Sequence, residues 1–128
     1  MSVAMSKCEP GLRQTRSLTV EASHTTSHQL DGVVATASLM ELAEDACIAA
    51  VCDQLDDDQT SVAVWAELEL SKSATVGETL SAKATLIGCH GPRLEFAVTI
   101  SSATGPVARV NLRRKIVARN RLNAPLAR

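Results

Sequence analysis

Glu44, Arg114 and Thr36 combine charged or polar side chains with positions that argue against simple solvation. Glu44 falls beside Met40, Ile48 and Val51 at helical spacing, whereas Glu41 and Asp45 mark the wetter side of the same stretch. A carboxylate among apolar neighbours is costly unless paired or used, and desolvation raises its pKa toward that of a working base. Arg114 shares strand parity with Ala108, Val110, Leu112 and Ile116, while Arg109, Arg113, Lys115 and Arg119 alternate outward. An inward guanidinium needs a partner, and a carboxylate such as Glu44 or an anionic ligand would serve. Thr36 stands where a helix should begin and is a good N-cap. The amides that follow it, from Ala37 on, present free N–H groups and the positive end of the helix dipole.

Other reactive side chains carry weaker signals. His24 and His28 sit in a loop ahead of the helix, where an imidazole reaches a site only by folding over it, and His90 sits in a hairpin turn. Cys8, Cys47, Cys52 and Cys89 show neither the CxxC spacing of zinc or redox sites nor the density of a disulfide scaffold, so they read as thiols and no metal is expected.

Composition narrows the function classes. The chain is 45% hydrophobic and 21% charged, and no apolar run approaches the ~18 residues a membrane helix needs. The first thirteen residues lack the apolar core of a secretory signal, so the expected location is cytoplasmic. One Trp, one Phe and no Tyr leave nothing from which to build the stacking platforms of single-strand nucleic-acid binders. A net charge of −1 conceals segregation, because no Lys or Arg lies between Arg16 and Lys72 and no Asp or Glu follows Glu95. The basic end can neutralise phosphates or face an acidic surface.

These residues must be positioned by a small set of elements. Thr15 to Val20 has strand-forming residues, and Glu21 to Val33 reads as a loop. From Thr36 to about Val51 apolar residues recur at helical spacing around most of the circumference, which predicts an enclosed helix. Four alternating segments follow: Val62, Val64, Ala66, Leu68 and Leu70; then Leu80 to Leu86; then Leu94 to Ile100; then Ala108 to Ala118. Turn signals at Val76-Gly77-Glu78, His90-Gly91-Pro92 and Thr104-Gly105-Pro106 predict a four-strand antiparallel meander. The expected class is α+β, a five-strand antiparallel sheet wrapped around one long helix, which is the hotdog arrangement. The expected boundaries are a tail over 1–11, one domain over 12–122 and a second tail over 123–128.

In order and spacing, four stretches resemble the hotdog thioesterases of the fluoroacetyl-CoA thioesterase type: Val34 to Glu44, Ala74 to Glu78, Gly91 to Phe96, and Arg114 to Val117. The resemblance covers 15–122. It implies thioester hydrolysis, with Thr36 and Glu44 at the family's catalytic positions and Arg114 at the position of an Arg in its last strand. It also implies coenzyme A as part of the substrate, no separate cofactor, and sites shared between the subunits of a homodimer or higher oligomer. The family's catalytic His is replaced by Leu70. Its Gly in a Val-Gly pair matches Ala63, and its paired glycines match Ala108 and Val110. Ala37, Ala63, Leu70 and Arg114 are therefore the expected substrate-binding positions.

Two readings follow. One is an acyl-CoA thioesterase acting on a small or medium acyl group, with Glu44 as base or nucleophile; the other is a hotdog protein that binds acyl-CoA or a similar ligand without turnover. A basic docking face for nucleic acid or protein is a weaker third reading. Neither membrane nor nucleic acid is an expected partner. Glu44→Gln is expected to cut hydrolysis more than ~100-fold while leaving stability unchanged or higher. Parity places Leu70 on the row of Val64 and Leu68, so Leu70→His should deliver an imidazole beside Glu44. An acyl-CoA turnover assay should then register a gain of ~10²–10⁴.

Overall fold

The structure, a computed structural model, describes residues 8–25 and 32–121. His28 and most of the two expected tails lie outside these residues. Cys8 is 2% exposed, and the Gly11 N–H donates to the Leu86 carbonyl at 2.8 Å, so contact with the domain begins ahead of the expected boundary at residue 12.

Strand β1 (Arg13–Thr19) precedes helix α1 (Thr36–Val51), and β2 (Gln59–Leu70), β3 (Thr79–His90), β4 (Arg93–Ser102) and β5 (Gly105–Ala118) follow. All pairings are antiparallel and the strand order is β1-β3-β4-β5-β2. The five strands and single long helix are those the alternation and helical spacing predict. The expected four-strand meander is corrected to three strands, because β2 does not pair with β3 but lies at the far edge, beside β5. The connection from Ser71 to Glu78 is long enough to cross the end of the sheet, about 26 Å when extended against the roughly 14 Å of three strand spacings.

The inward rows of β3, β4 and β5 are as the sequence predicts: Leu80, Ala82, Ala84 and Leu86, then Leu94, Phe96, Val98 and Ile100, then Val110, Leu112 and Ile116, all at most 1% exposed. Against them α1 sets Leu39, Leu42, Ala43, Ala46, Cys47 and Val51. Its small residues, with Ala82 and Ala84 opposite, let helix and sheet approach closely. The helix leans over β1 and β3 and away from β2, and its Ile48 is 43% exposed.

The β2 row needs a second correction. Val64 is the extra residue of a β-bulge: Ala63 faces Arg114 and Trp65 faces Arg113, with nothing opposite Val64. Parity inverts there. Ser61 and Ala63 point inward before the bulge and Ala66, Leu68 and Leu70 after it, while Val62 belongs to the outer face opposite Lys115.

The Ser71–Glu78 connection also anchors the start of the helix. The Val34 N–H donates to the Ala74 carbonyl at 2.8 Å and the Val76 N–H to Gly32 at 3.0 Å. Gly77 takes the φ of +97° the turn requires, and its N–H donates to Val20 at 2.9 Å. The Thr75 N–H donates to Glu78 Oε2 at 2.7 Å, which holds that carboxyl below the usual carboxylate range.

Burial pushes the Cys47 thiol up to about 12, with Glu44 adding to the effect and Arg114 opposing it, whereas Cys52 is exposed. A thiol must ionise to be alkylated. Mass spectrometry after iodoacetamide at pH 8 should show Cys52 modified and Cys47 protected until the protein is unfolded.

Candidate active site

Arg114 is 3% exposed and aims inward, as its parity predicts. Of the partners the sequence leaves open for it, the structure supplies Glu44: Nη1 donates to Oε1 at 3.2 Å. The rest of the fork is taken by one residue of β2, with Nε donating to Ser61 Oγ at 2.9 Å and Nη2 to the Ser61 carbonyl at 2.8 Å. The Glu44 side chain is 36% exposed, so it is an ion-paired carboxylate at the edge of the core rather than the desolvated one expected from its neighbours. Among the described residues, the hydrogen bond that it accepts falls on Oε1, and its side chain is part-exposed.

Thr36 is exposed and does not cap the helix. The cap position is Ala35, and no side chain there bonds the first turn, which corrects the expected N-cap. The Ala35 carbonyl takes the Ser38 and Leu39 N–H groups at 3.0 and 3.3 Å. Helical geometry leaves the Thr36 and Ala37 amides, both on exposed residues, to meet an acceptor from outside. Thr36, Met40 and Glu44 recur every fourth position and form one stripe. It faces the β5–β2 side of the sheet, as the Glu44–Arg114 contact shows. Thr36 and Glu44 are about 12 Å apart along the axis, and a glutamate side chain leans back toward the N-terminus, which shortens that gap.

Ala63 lies opposite Arg114 and so joins this site. Leu70 does not. It pairs with Ala108, six positions from Arg114 along β5 by the pairing register, or roughly 20 Å. The expectation that an imidazole at position 70 would meet Glu44 is thereby corrected for a single chain; the bulge restores the inward direction of Leu70 but not its distance. Leu70 is 48% exposed, at the same end of the molecule as the helix start.

His24 is held elsewhere: its Nδ1 accepts the Glu21 N–H at 2.9 Å and its carbonyl the Ala35 N–H at 2.8 Å. With Arg16, Glu41, Asp45 and Cys52 it lines a groove of about 400 Å³ on the opposite flank of α1. His90 borders a dent of about 210 Å³ near Arg93 and Arg113. Two outward basic residues meet acidic neighbours: Arg113 Nε lies 3.7 Å from Glu95, with its guanidinium 4.4 Å over the Trp65 ring. Glu69 stands opposite Arg109, and Glu67 accepts a hydrogen bond from Asn111 at 3.1 Å. Charges that the sequence segregates are thus brought together across strands at Arg113 and Arg109. Ser61 is the site residue that sequence reasoning misses, because its inward direction depends on the bulge.

Comparison with known proteins places the arrangement. A search of curated proteins finds no match. Among solved structures, a variant of the fluoroacetyl-CoA thioesterase FlK in complex with acetyl-CoA superposes with a TM-score of 0.86 at 21% identity, over 91% of this chain and 95% of that one. A hot-dog-like protein from Thermanaerovibrio acidaminovorans gives 0.84 at 22% identity, over 89% and 87%. A thioesterase superfamily member from Thermus thermophilus gives 0.85 at 17%, over 94% and 91%. The model of the fluoroacetyl-CoA-specific thioesterase family matches residues 15–120, and with its hotdog fold the chain belongs to that family.

Proposed function

We propose that the protein hydrolyses a small or medium acyl-CoA thioester, with Glu44 as general base or nucleophile. The observation that carries this reading is the Glu44 carboxylate, fixed through Oε1 by Arg114 yet part-exposed on the same helix stripe as Thr36. In this mechanism the thioester oxygen lies against the Thr36 and Ala37 amides, where the helix dipole favours developing negative charge. Glu44 Oε2 takes a proton from water as its oxygen attacks the carbonyl carbon. The C–S bond then breaks and the sulfur of coenzyme A leaves with that proton, so one thioester and one water give one acid and one thiol. Crystallised FlK variants with acetyl-CoA, or with fluoroacetate and CoA, support acyl-CoA as the ligand class. Coenzyme A enters as part of the substrate, and no separate cofactor is assigned. No described helix is long and apolar enough to cross a membrane.

One observation favours the alternative, binding without turnover: the position of the family's imidazole holds Leu70, whose aliphatic side chain transfers no proton. A screen of acyl-CoA esters with a thiol-detecting reagent separates the two. Release of thiol above the uncatalysed rate supports hydrolysis, and saturable CoA binding by calorimetry without release supports the alternative.

Glu44→Gln is expected to lower turnover at least ~100-fold. Its effect on stability is the reverse of the sequence-level expectation. The substitution strips the counter-charge from a buried guanidinium, and about 1–3 kcal/mol should be lost, read from urea midpoints. Wild-type turnover in this variant would transfer Glu44 to a purely structural role.

We further propose a homodimer formed along β2. This edge strand is twelve residues long, and Val64, Trp65 and Leu70 are 40–48% exposed, the kind of unpaired edge that invites a second strand. A two-fold axis midway between Ala66 and Glu67, or at Glu67, would set Leu70 of one copy opposite Ala63 or Val64 of the other, and so near the second copy's Glu44. Sedimentation should give about 27 kDa, twice the 13.5 kDa chain, or a higher multiple. The gain expected from Leu70→His should then depend on dimerisation, vanishing when Val64→Lys splits the edge; a monomer with native circular dichroism would end both proposals.

A further inference from the structure

We propose that Ser61 is a positioning residue, which sets the Glu44 carboxylate by fixing the orientation of Arg114. The inference rests on the hydrolytic reading above, which assigns Glu44 but gives Ser61 no part.

Ser61 is 8% exposed and holds one whole edge of the guanidinium, its Oγ accepting from Nε at 2.9 Å and its carbonyl from Nη2 at 2.8 Å. A guanidinium is planar, so two bonds along one edge fix the direction of the remaining nitrogen. That nitrogen is Nη1, and it meets Glu44 Oε1 at 3.2 Å. The chain of contacts runs from β2 through β5 to α1. It joins Ser61, Arg114 and Glu44, and among the described residues no buried side-chain nitrogen or oxygen lacks a partner. Glu44 is itself part-exposed, so a mobile Arg114 would let its carboxylate wander into solvent. The hydroxyl is the replaceable half of the clamp, since any residue at this position keeps the carbonyl. Without it, Nε is left buried and unpaired, and the guanidinium must tilt to find water or another acceptor.

The test uses Ser61→Ala and Ser61→Thr in the full-length protein, read by crystal structure and by acyl-CoA kinetics. In Ser61→Ala the Arg114 Nη1 to Glu44 Oε1 contact should open beyond about 4 Å. The turnover number kcat should fall tenfold or more with KM unchanged, because a misplaced base costs rate rather than substrate binding. Ser61→Thr keeps the hydroxyl and should restore both. An ion pair that stays closed in Ser61→Ala, or an open one with wild-type kcat, overturns the positioning role. A wild-type protein that hydrolyses no acyl-CoA overturns the hydrolytic reading instead, and the crystallographic arm still decides whether Ser61 sets the pair.

Discussion

A buried cation has to be answered, and in this molecule the answer to Arg114 organises the site and the strand beside it. At 3% exposure its guanidinium needs an acceptor along each edge, because removing an ion from water costs several kcal/mol unless geometry and hydrogen bonds repay it. Ser61 takes one edge and Glu44 the remaining nitrogen. That demand explains the bulge at Val64. Without the extra residue, the parity that turns Ser61 inward would also turn Trp65, Glu67 and Glu69 inward, against Leu112, Val110 and Ala108 on β5. With it, Ser61 serves Arg114, while Leu68 joins the apolar inner face and Glu67 and Glu69 remain outside beside Asn111 and Arg109.

The helix is held by a different logic. Its axis is set by close approach, with Ala43, Ala46 and Cys47 against the small inward residues of β3, and its start is tied to the Ser71–Glu78 connection by backbone bonds. Leaning toward β1 and β3, it leaves Ala63, Ala66 and Leu70 on the inner side of β2 exposed. The open side therefore carries the stripe of Thr36, Met40 and Glu44, where a ligand has access to free helix amides and to a carboxylate.

The same asymmetry bears on position 70. Within one chain Leu70 lies six positions along β5 from Arg114, the partner of Glu44, so a single copy keeps the two side chains apart. In a chain with an imidazole there, a second copy paired along β2 could bring the groups together; in this chain the position offers aliphatic surface. Glu44 is left as the one ionisable side chain of the stripe that it forms with Thr36 and Met40.

The α+β class, the helix over 36–51, the inward rows of β3, β4 and β5, and the inward direction of Arg114 were all legible in the sequence. Each depends on local periodicity, which apolar burial enforces residue by residue. The family resemblance was legible as well, because it resides in short stretches at characteristic spacings. Tertiary structure alone decided the rest. The position of β2 beside β5, its change of parity at Val64, the ion pairing of Glu44 and the clamp by Ser61 all arise from contacts between residues 38 to 70 positions apart. A bulge adds one residue without altering the apolar pattern around it, and the partner that forces it, Arg114, lies on another strand, so no window along the chain contains both causes.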